Sequence, residues 1–131
     1  MRPVISLVTA LLLSVAGGSA SAADVSGTWS VSATFVSGGR IVSTATPVCT
    51  FQQTGDRISG TCKGPNGLGP AAGTVDGGAV AWQWNHTATT PYGLTGSTGF
   101  RGELGADGVI RGTATSSNFP GLVGTFTEQR Q

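Results

Sequence analysis

Few residues in this chain are suited to chemistry. It contains one histidine, His86, and two cysteines, Cys49 and Cys62. A metal site needs several ligands at matched spacing, and none stands near His86. Charged residues make up 10% of the chain, and no pair of carboxylates is expected to point inward for acid–base work. Asp56, Asp76 and Asp107 sit in turn-like sequences, where aspartate serves the backbone. If the cysteines pair, neither remains as a nucleophile. His86 near loop serines and threonines is too common a combination to mark a hydrolytic centre. These absences read as a non-enzyme with no cofactor and no metal. An excess of one sign of charge is missing too. Beyond residue 22 the bases Arg40, Arg57, Lys63, Arg101, Arg111 and Arg130 balance the acids Asp24, Asp56, Asp76, Glu103, Asp107 and Glu128. Neither sign clusters, which argues against nucleic acid or an anionic membrane as partner. Helix formers are scarce in the same region while Gly, Thr and Ser abound, so the fold class read here is all-β.

One apolar run stands out, and it is N-terminal. Arg2 precedes an apolar stretch over residues 4–15, and Ala20-Ser21-Ala22 fits a small-residue cleavage site. Residues 1–22 read as a secretory signal peptide, since the run is too short to span a bilayer. No cysteine stands at the cleavage point to take a lipid. The remaining 23–131 suit one domain, secreted or periplasmic, in a compartment where cysteines pair. Asn85-His86-Thr87 matches a glycosylation sequon, relevant only in a eukaryotic secretory host.

The most informative stretch is 49–62. With a two-residue turn at Gly55-Asp56, Thr54 faces Arg57, Phe51 faces Gly60 and Cys49 faces Cys62. Counting outward from the turn makes the cysteines a non-hydrogen-bonded pair, whose Cα atoms lie about 4.5 Å apart, within disulfide reach. A bridge there is worth about 3 kcal/mol in chain entropy. Cys49, Phe51, Ile58, Gly60 and Cys62 share one face, and Thr50, Gln52, Ser59 and Thr61 the other. That alternation is what a half-buried antiparallel pair requires.

A signal of Gly-Thr plus an apolar residue or cysteine recurs at Gly27, Gly60, Gly73, Gly112 and Gly124. Eight strands follow, over 27–36, 47–54, 57–62, 71–76, 79–85, 98–105, 109–115 and 122–130. Gly55-Asp56, Gly77-Gly78 and Ala106-Asp107-Gly108 read as tight turns. Looser links cover 37–46, 63–70, 86–97 and 116–121. Their alternation predicts an eight-stranded antiparallel up-and-down β-barrel (a meander), with tight turns at one end and long loops at the mouth.

Inward positions read Trp29, Val31, Ala33, Phe35, Phe51, Ile58, Val75, Val80, Trp82, Trp84, Phe100, Leu104, Ile110, Ala114, Leu122 and Phe126. Gly60 opposite Phe51 and Gly73 opposite Trp82 fit aromatic rings lying over cross-strand glycines. A further register sets Gly102, Gly112 and Gly124 side by side, leaving a hollow. Trp82 or Trp84 fills it, or a ligand does; close packing favours a side chain.

Gly27-Thr28-Trp29 on the first strand, with Arg130 ending the last, resembles the calycin superfamily, which includes lipocalins, avidins and bacterial metalloprotease inhibitors. The resemblance implies that Arg130 covers Trp29 and closes the barrel floor, a cation–π arrangement. Gly27-Thr28-Trp29, Ile58-Ser59-Gly60-Thr61 and Val80-Ala81-Trp82 look most like avidins. The polar residues avidins use on the biotin ring are not recovered, and Val31 stands where they place a polar ligand. Only the architecture carries over. The inhibitors resemble this chain in size, export and single disulfide, but they use a tail before the first strand, and here 23–26 is short for that.

The function expected is an exported barrel that binds an apolar or aromatic small molecule at its mouth. Trp82, Trp84, Phe100 and Tyr92 are the candidate rings and His86 the polar contact. Two alternatives stand beside it: a protein-binding module such as a protease inhibitor, acting through the long loops, and an envelope protein with a filled interior.

Overall fold

A computed structural model describes residues 21–131. The expected signal peptide lies outside the described residues except for its last two, Ser21 and Ala22.

Nine strands follow: β1 (Gly27–Ser37), β2 (Arg40–Ala45), β3 (Val48–Thr54), β4 (Arg57–Lys63), β5 (Gly67–Asp76), β6 (Ala79–Ala88), β7 (Gly96–Leu104), β8 (Ile110–Ser116) and β9 (Gly124–Arg130). From β3 to β9 each pairs antiparallel with the next, and β1 pairs with both β3 and β9. The sheet is therefore closed. β2 pairs with the upper half of β1, in line with β3 below it. Together β2 and β3 make one stave of an eight-stave barrel, interrupted at Thr46-Pro47. Pro47 has no N–H to give a ladder, but its carbonyl accepts the Val31 N–H at 3.0 Å.

This corrects the sequence reading of 37–46 as a loose link. Gly38 and Gly39 form a two-residue turn with φ of 59° and 77°, the positive values that such hairpins demand. The β-branched run Ile41-Val42 then continues as strand. Tight turns thus occur at both ends of the barrel, against the expected sorting. Closure survives because it depends on the up-and-down order, not on loop length. Other bounds shift as well. β5 begins at Gly67, so the link before it is only 64–66. β6 reaches Ala88 and carries His86 on a strand rather than in a loop. Leu122, expected to point inward on the last strand, lies in the connection before β9, its N–H bonded to the Phe119 carbonyl.

The 49–62 hairpin has the expected register, Cys49 facing Cys62 and Phe51 facing Gly60. The cysteines are disulfide-bonded, with Cα atoms 4.0 Å apart. On adjacent strands Gly73 faces Trp82 and Gly102 faces Gly112, as expected. Gly112, however, faces Phe126 rather than Gly124. The expected hollow of three glycines is therefore absent. Phe126 stands edge-on to Phe100 at 5.1 Å, Phe100 stacks on Trp82 at 4.0 Å, and Phe51 meets Trp82 edge-on at 5.1 Å. This relay of rings spans the lower bore. Gly112 has its own structural reason, because a Cβ there would fall 1.8 Å from the Arg101 carbonyl oxygen.

The floor is closed by Trp29 and Arg130. Trp29 is fully buried, and the guanidinium carbon of Arg130 lies 4.4 Å from its ring centre. The Trp29 Nε1 donates to the Val25 carbonyl at 2.9 Å. Arg130 also donates to the carbonyls of Ser26 and Asp24. Residues 23–26 are thus a plug: Val25 is buried, and Gln53 holds it by accepting from the Val25 N–H and donating to the Ala23 carbonyl. Replacing Arg130 by alanine removes the cation–π contact and two charge-assisted bonds at a solvent-exposed position. The expected loss is about 1–2 kcal/mol in urea unfolding. Arg130→Lys should recover less than half of it, because an ammonium cannot stack and span two carbonyls together.

Candidate functional site

The mouth of the barrel holds a cavity of about 220 Å³. It is walled by residues 43–46 of β2 and after it, the 64–66 link with Gly67, inward side chains of β6 and β7, Phe35 of β1, Ser116 of β8, and parts of the 89–95 and 117–123 links. The break at Thr46-Pro47 opens it, since β2 follows β1 there while β4 and β5 end below. Among the described residues no Asp, Glu, Lys or Arg lines this space.

Trp84 forms its inner wall. It sits two residues above Trp82 on β6, on the same inward face, and is 5% exposed. Its six-membered ring reaches Gly64 and Gly67, where a Cβ would come within 3.6–3.8 Å of Cη2. Its Nε1 is buried and has no hydrogen-bond partner, alone in this among the buried side-chain nitrogens and oxygens of the described residues. An unpaired buried donor costs about 1–3 kcal/mol.

His86 lies beside it, ring centres 4.7 Å apart. Nδ1 is 2.6 Å from the Leu94 carbonyl and Nε2 is 3.0 Å from Thr98 Oγ1. A carbonyl only accepts, so in the neutral ring Nδ1 carries the proton and the Thr98 hydroxyl donates to Nε2. Both ring nitrogens are used. The pair ties the 89–95 link to β7 and leaves no lone pair for a metal. No cluster of three His, Cys, Asp or Glu among the described residues could hold one. Asn66 anchors the same link from the other side, its carbonyl taking the Thr89 N–H at 2.9 Å and its side chain the Thr90 hydroxyl at 2.8 Å. Tyr92 projects at the rim, 87% exposed. Phe35 and Phe119, 6.0 Å apart, line the opposite side.

Of the residues singled out from sequence, Trp84, His86 and Tyr92 line this cavity. Trp82 and Phe100 do not; they stack on each other deeper in the bore. Sequence reasoning did not select Asn66, Thr98, Ser116, Asn118 or Phe119; Thr98 was open to it, because it lies two residues from Phe100 on β7 and shares its inward parity, while no pattern pointed to Asn66, Asn118 and Phe119 in their links.

Glu128 was also passed over, although a signal existed: it lies midway between Phe126 and Arg130, and alternation turns all three inward. It is 1% exposed and accepts the Trp82 Nε1–H at 3.2 Å. Burial pushes its carboxyl up to about 7, while the Trp82 hydrogen bond pulls the other way. The turn acid Asp107 behaves oppositely. Its hydrogen bonds to the Arg111 side chain and the Val109 N–H hold it down at about 2. No protein-family model matches the chain, and no curated protein sequence matches it either.

Proposed function

We propose that this chain is a small exported binding protein that takes a neutral apolar or aromatic group into the mouth cavity. One observation carries the reading: a space of about 220 Å³ with no charged lining and an indole, Trp84, as its inner wall. A ring entering there covers apolar surface against the Trp84 indole. A cavity of about 150 Å³ accommodates benzene, so 220 Å³ suits one bicyclic or substituted single ring. Trp84 and His86 form the inner wall of the site and Tyr92 its rim. Trp82 and Phe100 serve as packing beneath it. The role is binding without chemistry, since His86 and Thr98 already satisfy each other.

Export is supported by the leader-like residues 1–22 and by the disulfide, which favours an oxidising compartment. Kinship with calycins is supported by the closed antiparallel barrel and by the Arg130–Trp29 stack. Tryptophan fluorescence tests the binding reading. Neutral ring compounds should quench it saturably, and Trp84→Phe should abolish most of the change while Trp29 and Trp82 still emit. If no compound quenches and acrylamide cannot reach Trp84, the cavity is not a binding site.

A further inference from the structure

We infer that the ring held at the mouth is presented on an uncharged, extended peptide that adds as a strand to the free edge of β2. This rests on the binding reading above and names its partner.

β2 pairs with β1 along one edge only, and among the described residues no strand or backbone hydrogen bond meets its other edge. Half of its N–H and C=O groups therefore point away from the barrel wall. Every other strand among the described residues has a partner on both edges over at least part of its length, whereas β2 has one on a single edge throughout. Edge strands usually carry lysine or proline against such pairing. β2 reads Arg-Ile-Val-Ser-Thr-Ala: Arg40 and a bulge at Val42 guard its first half, but Ser43, Thr44 and Ala45, the part beside the cavity, carry neither charge nor proline.

This edge lies beside the cavity. Residues 43–46 line it on one side and the 64–66 link on the other, so the gap between them is bordered by unpaired backbone on the β2 side, while the Gly64 N–H and the Asn66 carbonyl of the link are already bonded. A free ring can fill the cavity, but it leaves the β2 edge unbonded. An extended peptide does both, because alternate side chains of an added strand point to one face while its main chain pairs with the edge. One aromatic side chain fits the volume available. The uncharged lining disfavours a peptide with acidic or basic residues at that position.

Three blocked probes test this: N-acetylphenylalanine amide, an uncharged acetylated and amidated pentapeptide with central phenylalanine, and that pentapeptide N-methylated at alternate backbone nitrogens. Binding is read by calorimetry and by hydrogen exchange. The pentapeptide should bind about tenfold tighter than the single amide, the gain expected from one or two net backbone hydrogen bonds. It should slow exchange of amides within 43–46, and methylation on the paired side should erase both effects. Equal affinity of amide and pentapeptide, with no protection at 43–46, overturns strand addition while leaving the ring-binding reading intact. If no probe binds and none quenches Trp84, both fall. Self-association that protects 43–46 without any peptide overturns the inference, because a second copy then occupies the edge.

Discussion

Replacing Trp82 by alanine is expected to lower the stability of the barrel by about 3–5 kcal/mol, the range found when a buried aromatic is truncated in a packed core. Three contacts are lost together. Trp82 stacks face-on with Phe100 at 4.0 Å and 13°, receives Phe51 edge-on at 5.1 Å, and donates to Glu128. No neighbour can collapse into the space, because Gly73 faces Trp82 across β5 and a side chain there would strike the β6 backbone. The void stays open, and the Glu128 carboxyl loses its donor. Domains of this size are stable by only about 5–15 kcal/mol, so the variant approaches the folding threshold. Urea unfolding should show a lower midpoint with an unchanged slope. Trp82→Phe keeps an aromatic over Phe100 but drops the N–H, and should fall between the two. Thr113→Ala, on the exposed face, should change stability by no more than about 0.5 kcal/mol. A Trp82→Ala loss below about 1 kcal/mol would mean that the bore is not packed around this indole.

The barrel was legible because strand alternation and turn chemistry act locally. The hairpin at 49–62 has an unambiguous two-residue turn, and its register fixes the disulfide and the Phe51–Gly60 pair. Gly-Thr-apolar repeats marked four more strands by the same rule. What failed was the segment just before Pro47. Pro47 interrupts a stave without terminating it, since its carbonyl still serves Val31. Reading 37–46 as a link hid β2, the Gly38-Gly39 turn, and with them the opening that makes the cavity. The site was half legible for a related reason. Trp84 lies on a strand, where parity gives direction; His86, expected in a link, shares that strand and its inward face. Asn66, Asn118 and Phe119 sit in links, whose paths depend on contacts between distant segments. The register error at Gly124 was of that kind, because a link of unknown path precedes it and a two-residue displacement leaves parity unchanged. Glu128 is a different matter. Its direction followed from Phe126 and Arg130 by alternation, yet the inward positions read from the sequence stopped at Phe126.

Stability should therefore fall as pH rises from about 4.5 to 7, the reverse of ordinary acid denaturation, and Glu128 should be responsible. In the unfolded chain its carboxyl titrates near the usual 4.5; in the folded barrel burial raises it to about 7. The folded state thus holds a proton that the unfolded state has already released. Below about pH 4.5 both states are protonated and the contribution is fully present. Between the two values the unfolded chain binds fewer protons, so unfolding becomes easier with each step upward in pH. Above about 7 both states are ionised and the loss is complete, at about 3 kcal/mol for a displacement of this size. The groups facing Glu128 do not offset this. Val31 and Ile110 pair with it across the neighbouring strands, and Trp82 supplies its one hydrogen bond. The lowered acids Asp24 and Asp107 act in the opposite direction but titrate below this window. Urea unfolding of the unmodified protein at pH 4.5 and pH 8 measures the difference. Glu128→Gln keeps an acceptor for the Trp82 N–H and cannot ionise, so its stability should vary little across the same interval and exceed that of the unmodified protein at pH 8. A flat profile for both proteins would show that the carboxylate is hydrated in the folded state. In that case water reaches the bore past the ring relay, and the lower barrel is not sealed between its floor and Trp82.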